Sequence, residues 1–328
     1  MGKVEKILNT SNKFLIDWFS FTSKVDSASS IVDLLGLSKI KFQTIYGCQG
    51  YKQRLYFDGI NIHFGSERNP GVWVEMSGQG CRNFETYSDI TFEDLFNIVV
   101  AFQDDYHVTR LDVAYDDFSH VIPLKKLSKQ VLDSHFVSKF HEKSCLVTQA
   151  SGCNGITVDL GSCKSDIRFR VYDKAYERQY FDEIANGFTW VRWEMQLRDT
   201  SALNFLIKLQ NDTVGGIFKG VLLNYFRPVD VNKSDSNKRR WNTSRWFSRF
   251  VDSVSKISLF TSCKSEYNLA RCENYAYHQA GNAIDTLIKI KGVETFLREL
   301  SEQKPETTLK YKELYNQHLL DERGLSDA

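Results

Sequence analysis

The stretch "SDIRFRVYDKAYERQ", Ser165 to Gln179, splits cleanly when read with a two-residue period. Ile167, Phe169 and Val171 fall on one face. Arg168, Arg170, Tyr172 and Lys174 fall on the other. A β-strand alternates its side chains in this way, so the segment has a core side and a polar side. Two further segments repeat the pattern. In "TRLDVAYDD", Leu111 and Val113 oppose Arg110, Asp112 and Asp116. In "WVRWEMQLRD", Val191, Trp193, Met195 and Leu197 oppose Arg192, Glu194, Gln196 and Arg198. As neighbours in one antiparallel sheet, the three strands would bring carboxylates, a tyrosine and several cations onto one surface.

That set suits phosphodiester chemistry. A tyrosine hydroxyl ionises only near pH ~10 and needs help to attack, yet tyrosine is an established covalent nucleophile. Asp and Glu oxygens can hold a metal that polarises a phosphate, and Arg and Lys neutralise phosphate oxygens. A plainer reading stands beside it: alternating Arg and Glu on an antiparallel strand also make a solvated face with cross-strand ion pairs. Asp116 and Asp117 can equally begin a turn. Tyr176 and Tyr180 lie in "KAYERQYFDEIA", which has helical character, and read as packing residues.

The bulk properties exclude several classes. With 328 residues the chain can form two or three domains. Apolar residues make up 42% and charged residues 25%, the balance of a globular protein. No apolar run is long enough to span a membrane, and the N-terminus lacks the apolar core of a signal peptide. Seven cysteines, none spaced C-x-x-C, argue against a zinc ribbon or a disulfide framework and place the protein in the cytosol. A net charge of +1 argues against a general nucleic-acid coat, though it leaves room for a local basic groove.

The first 200 residues carry signs of a duplication. Asp17 in "FLIDWFSF" precedes Asp112 by 95 residues, and Gly65-Ser66 precedes Gly161-Ser162 by 96. The fold class expected is α+β: two tandem β-α-β-β modules with antiparallel sheets, at 10–105 and 106–200, then a mostly helical region at 201–328. At the 96-residue offset Tyr172 corresponds to Met76, Arg168 to Val72 and Arg170 to Val74. The first module is therefore expected to be a non-catalytic scaffold, with Asp17 satisfied by backbone amides or a nearby cation, and the second to carry the chemistry.

The segments "GVWVEMSGQGCRNFE", "TRLDVAYDDF", "FRVYDKAYER" and "WVRWEMQLRD" resemble the ordered blocks of the Rep_trans family of replication initiation factors. That family includes rolling-circle plasmid initiators, phage-type initiators and relaxases of integrative conjugative elements. The resemblance spans roughly Phe14 to Leu209. It implies a DNA-nicking and strand-transfer enzyme acting through a 5′-phosphotyrosine. Tyr172 would be the nucleophile, with Lys174 and Arg170 beside it. Asp112 and Glu194, with Asp116 as a further ligand, would hold Mg²⁺ or Mn²⁺. The chain departs from the nickases that use a His-hydrophobe-His pair, since no two of its seven histidines are two apart. His107 and His120 flank the Asp112 strand and read as scattered histidines.

DNA contacts are expected from Arg168 and Arg192 and from the basic-aromatic segment "KRRWNTSRWFSRF", through Lys238, Arg239, Arg240 and Arg245. That segment is expected to clamp the DNA, although Trp246 also fits the apolar side of an amphipathic helix. Origin DNA, a helicase and a second copy of the chain are the expected partners. Two rivals remain: a non-catalytic origin-binding protein, and a metal-dependent nuclease in which water attacks. The sequence does not separate a replication initiator from a conjugative relaxase.

Overall fold

The alternating strands assemble into one continuous antiparallel sheet. The computed structural model describes residues 11–67, 71–149, 155–252, 255–257, 259, 276–277, 281–303, 315 and 318. β1 (Lys13–Ser23) leads to α1 (Ala28–Leu34), then to β2 (Gln43–Tyr46), β3 (Gln53–Phe57), β4 (Ile60–Phe64) and β5 (Val72–Met76). α2 (Gly78–Tyr87) and α3 (Phe92–Ala101) close this half. The second half runs β6 (Tyr106–Asp117), α4 (Leu124–Leu132), β7 (Phe136–Ser138), β8 (Cys145–Gln149), β9 (Ile156–Leu160) and β10 (Ile167–Asp173). Two short helices, α5 (Lys174–Glu177) and α6 (Phe181–Ala185), precede β11 (Val191–Arg198). Then come α7 (Asp199–Leu209), α8 (Val214–Tyr225), β12 (Phe226–Pro228) and α9 (Arg245–Phe250).

The ten-stranded sheet has the order β2-β3-β4-β5-β1-β6-β11-β10-β9-β8. Its two halves meet at β1 and β6, which pair over almost their full length. The apolar rows read from the sequence lie buried: Leu111, Val113, Phe169, Val171, Trp193, Met195 and Leu197 are all 0% exposed. Helices cover that face. Phe96 of α3 packs edge-on to Phe19, and Phe218 of α8 packs edge-on to Phe169. α3 begins with a capping box in which Thr91 and Asp94 satisfy each other's backbone N–H groups.

Three expectations change here. First, the compact units do not divide at residue 200. Contacts divide the chain at Cys263, because α7 and α8 bury Ala202, Phe205, Phe218 and Val221 in the sheet's own core. The second unit, from Lys264, contains α10 (Gly281–Lys291) and α11 (Val293–Gln303), and Lys291 and Glu299 pair within it at 2.6 Å.

Second, the repeat is offset by one strand from the reading at 96 residues. Counted outward from the seam, the halves run β1-β5-β4-β3-β2 and β6-β11-β10-β9-β8. The counterpart of β10 is therefore β4, not β5. Met76 is fully buried as expected, but it lies on the core face of β5. The polar-face residues of β4 are Asn61 and His63, cross-strand from Glu75 and Trp73.

Third, β1 and β6 shift register between Ile16↔Val113 and Trp18↔Asp112, which leaves Asp17 as an extra residue in a β-bulge. Such bulges re-aim a side chain. Asp17 is thereby turned toward the face on which the polar rows lie, where it meets Arg192.

His63 illustrates what the closed-over part of this face costs. It is 0% exposed and stacks on Trp73 at 4.5 Å between ring centroids. Burial, aided by the charge of Arg54, lowers its pKa to about 4. The folded chain thus keeps His63 neutral where the unfolded chain takes up a proton, below pH ~6.5. Stability at His63 is intact above that value and falls as pH drops toward 4, by up to about 1.4 kcal/mol per pH unit. His63→Phe should shrink the loss of urea stability between pH 7 and pH 5 by about 1–2 kcal/mol. An identical loss in both proteins would show that His63 is not the titrating group.

Candidate active site

The site forms where β10, β11 and the bulge of β1 present their polar faces together. Tyr172 sits near the end of β10. At Asp173 the strand stops: the Asp173 carboxylate accepts from the Tyr176 backbone N–H at 2.9 Å and caps α5. This tight turn folds Lys174 back onto Tyr172, whose hydroxyl accepts from Lys174 Nζ at 3.1 Å. Tyr172 in turn donates to Glu194 Oε1 at 2.6 Å from the adjacent strand. Tyr172 is only 8% exposed. Burial, and then the charge of Glu194, push its phenol well above the usual tyrosine range. Burial likewise raises the Glu194 carboxyl, opposed by the Tyr172 hydrogen bond and reinforced by the charge of Asp17.

A cleft of about 620 Å³ opens over these groups. Asp17, Arg170, Tyr172, Lys174 and Glu194 line it, and the β8–β9 hairpin adds Thr148, Thr157 and Asp159. Asp159 Oδ1 accepts from both Arg168 (2.6 Å) and Arg170 (3.0 Å) and so fixes the two arginines beside the tyrosine. Tyr176 packs against Phe181 with ring centroids 5.1 Å apart, and Tyr180 stacks on Trp190.

Two of the expected metal ligands are engaged elsewhere. Asp116, 2% exposed, accepts from Arg192 Nε (2.7 Å) and Nη2 (2.9 Å) and from Trp190 Nε1 (2.8 Å). Asp112 has both oxygens held by Arg110, at 2.9 and 2.6 Å, and that guanidinium lies 4.2 Å above the Trp18 ring. Burial raises the Asp112 carboxyl, and the Arg110 contacts work against the rise. The neighbouring Asp117 makes the turn: it accepts from the backbone N–H groups of Ser119 (3.0 Å) and Ile122 (2.7 Å). Among the described residues, no three His, Cys, Asp or Glu side chains converge as a metal cage. His107 faces Asp199 at 3.3 Å, and His120 faces Thr189.

Arg192 also departs from its expected role. It is buried, and besides Asp116 it donates to Asp17 Oδ1 at 2.9 Å. Burial disfavours its charge, but the Asp116 hydrogen bonds and the charges of Asp17 and Asp116 outweigh this and raise its pKa further. It is an internal bridge rather than a surface for DNA. Asp17, expected to be satisfied apart from the site, is a member of it. Its bulge left no local signal; the only clue in the sequence was its spacing from Asp112.

The basic-aromatic segment does not close over the cleft. Trp246, Phe247 and Phe250 pack against Trp193, with Phe250 stacked on it at 5.6 Å. Trp193 and Glu194 point to opposite faces of β11, so the segment lies on the helix-covered side. Lys238 donates to the Ser134 carbonyl, Arg240 pairs with Asp235, and Arg239 and Arg245 are exposed.

Residues 106–301 match the family described as replication initiation factor. The chain belongs to that family. Residues 13–99 match the N-terminal domain of rolling circle replication initiation proteins, so the two matches divide near the β1–β6 seam in sequence. The chain is 27% identical over 269 residues to a protein of Bacillus subtilis (strain 168) named "Putative DNA relaxase NicK", covering 77% of this chain and 74% of that one. It is similar in structure to a rolling circle replication initiator protein from Geobacillus stearothermophilus. The TM-score is 0.64 at 28% identity, over 76% of this chain and 99% of the other. Among the described residues no helix is long and apolar enough to cross a membrane.

The Arg192 bridge yields a stability prediction. Arg192→Met leaves Asp116 buried without a countercharge and should cost about 3–5 kcal/mol in urea unfolding. Arg192→Met combined with Asp116→Leu should recover much of that loss, because the fully buried carboxylate is gone and Asp17, which also loses Arg192, lines the open cleft. A double variant as unstable as the single one would show that the bridge acts by packing alone.

Proposed function

We propose that the protein nicks and rejoins one DNA strand, with Tyr172 as the nucleophile. The observation that carries this reading is the hydroxyl of Tyr172 held between Glu194 and Lys174 in a cleft that Arg170 also lines. Glu194 orients the phenol and takes its proton as the Tyr172 oxygen attacks phosphorus. Lys174 stabilises the charge that develops on that oxygen. Arg170 binds the phosphate, with Arg168 fixed beside it. The new bond joins Tyr172 to the 5′-phosphate; the bond to the 3′-oxygen breaks, that oxygen takes a proton from water in the open cleft, and the free 3′-hydroxyl can prime synthesis or wait for rejoining. The rejoining step reverses this path.

A divalent cation fits the carboxylates that remain open. Asp17 commits Oδ1 to Arg192, and Glu194 commits Oε1 to Tyr172, so each keeps a second oxygen beside the cleft. Mg²⁺ is commonly held by one or two carboxylates together with waters and substrate phosphates. Asp17 and Glu194 would hold such an ion, and it would withdraw charge from the scissile phosphate. Asp112, bound by Arg110 behind them, would support the set by charge rather than as a ligand.

The partners follow from this reading: a single strand of origin or transfer DNA, and a helicase to open the duplex beyond the nick. Arg239 and Arg245, both exposed, would contact flanking duplex.

The test is covalent capture. Labelled single-stranded oligonucleotides tiling the DNA around the protein's own gene are incubated with the protein and Mg²⁺ or Mn²⁺. A denaturation-resistant protein–DNA adduct is expected. Tyr172→Phe should abolish it while leaving DNA binding and stability intact, because only the attacking oxygen is lost. Glu194→Gln and Asp17→Asn should each reduce it by about 100-fold or more, the scale of losing a general base or a metal-ion contact. Cleavage without an adduct would indicate water as the nucleophile. Binding without cleavage would indicate an origin-binding protein.

A further inference from the structure

Lys174 has a second partner that the nicking reading leaves unused. Its side chain is 7% exposed, and its ammonium lies 2.5 Å from Glu177 Oε2 as well as against the Tyr172 hydroxyl. Glu177 ends α5, lines the same cleft, and its side chain is 50% exposed. The cation beside the nucleophile is thus already neutralised by a carboxylate reaching in from the cleft wall. Carboxylate and phosphate oxygens compete for the same N–H donors. Arg178 Nε lies 3.8 Å from the same Glu177 oxygen, and its side chain is 58% exposed.

We infer that Glu177 is a built-in phosphate mimic: it occupies Lys174 in the DNA-free protein and gives way to the scissile phosphate, swinging out to Arg178. This rests on the reading of Tyr172 as nucleophile and Lys174 as the cation beside its oxygen, where the scissile phosphate arrives as that oxygen attacks. The exchange replaces one anion by another, so the buried ammonium is never left unpaired, which would be costly. The half-exposed Glu177 is released into water beside a cation already present. The consequence is selectivity: DNA must supply a phosphate at this one position to displace the carboxylate, and strands that lie elsewhere in the cleft leave the ammonium occupied.

The test compares Glu177→Gln with Asp182→Asn. Asp182 is exposed in the first turn of α6 and is not among the residues lining the cleft, so both variants change net charge equally. Affinity for the oligonucleotide that forms the adduct is measured in a Tyr172→Phe background, and the rate of adduct formation with Tyr172 present. Glu177→Gln should tighten binding about tenfold relative to Asp182→Asn and speed adduct formation at subsaturating DNA. Glu177→Ala should act in the same direction. Binding equal to Asp182→Asn, or weaker, overturns the inference, since Glu177 would then be a bystander or would only position Lys174. If the Tyr172 protein forms no adduct, the site reading itself fails and the inference falls with it; an intact adduct with unshifted binding removes Glu177 alone.

Discussion

One buried guanidinium holds the site together. Arg192 on β11 reaches Asp116 on the neighbouring strand and Asp17 on the first half of the sheet. A buried cation must be matched by charge and hydrogen bonds on its several sides. Arg192 meets that demand only where β1, β6 and β11 lie side by side in this register. The bulge that frees Asp17 from the β1–β6 ladder is the local distortion that completes the match. The same bulge brings Asp17 to the edge of the cleft, next to Tyr172 and Glu194. The first half of the sheet therefore contributes a side chain to the cleft.

Burial explains the division of labour among the acidic residues. Asp112, Asp116 and Glu194 all stand on the polar face, yet two are neutralised by arginines and one is not. Asp116 and Asp112 each present both oxygens to a guanidinium. Glu194 meets a phenol instead, and among the described residues its second oxygen is not held by a guanidinium. The polar row of β10, β11 and β6 thus resolves into structural ion pairs around one tyrosine–carboxylate pair. The plainer reading from the sequence holds in part: the surface has cross-strand ion pairs, and Tyr172 is hydrogen-bonded between Glu194 and Lys174 among them.

What was legible in the sequence was what depends on strand periodicity. The core and polar faces of β6, β10 and β11 follow from alternation, and with the three strands as neighbours the convergence of Tyr172, Arg170 and Glu194 follows from it too. What was not legible depends on register and on partners distant in the chain. Nothing near Asp17 announces a bulge, because the extra residue shows only against Val113 and Asp112. The pairing of Asp116 with Arg192 spans 76 positions and could not be separated from a ligand role by pattern. The Gly-Ser landmarks placed the repeat one strand out, since Gly65 follows β4 whereas Gly161 follows β9. The segment from Lys238 to Phe250 has a composition suited to DNA, but its aromatics were needed to cover Trp193.

The central claim is that the oxygen between Glu194 and Lys174 is the one that becomes joined to DNA. Mapping the linkage tests it most directly. The purified adduct is digested with trypsin and nuclease, and the peptide that retains nucleotide mass is sequenced by mass spectrometry. The account predicts the modification on Tyr172, in the peptide Val171–Lys174 between two cleavage sites. A nucleotide on Tyr176 in Ala175–Arg178, or on Tyr180, would contradict it.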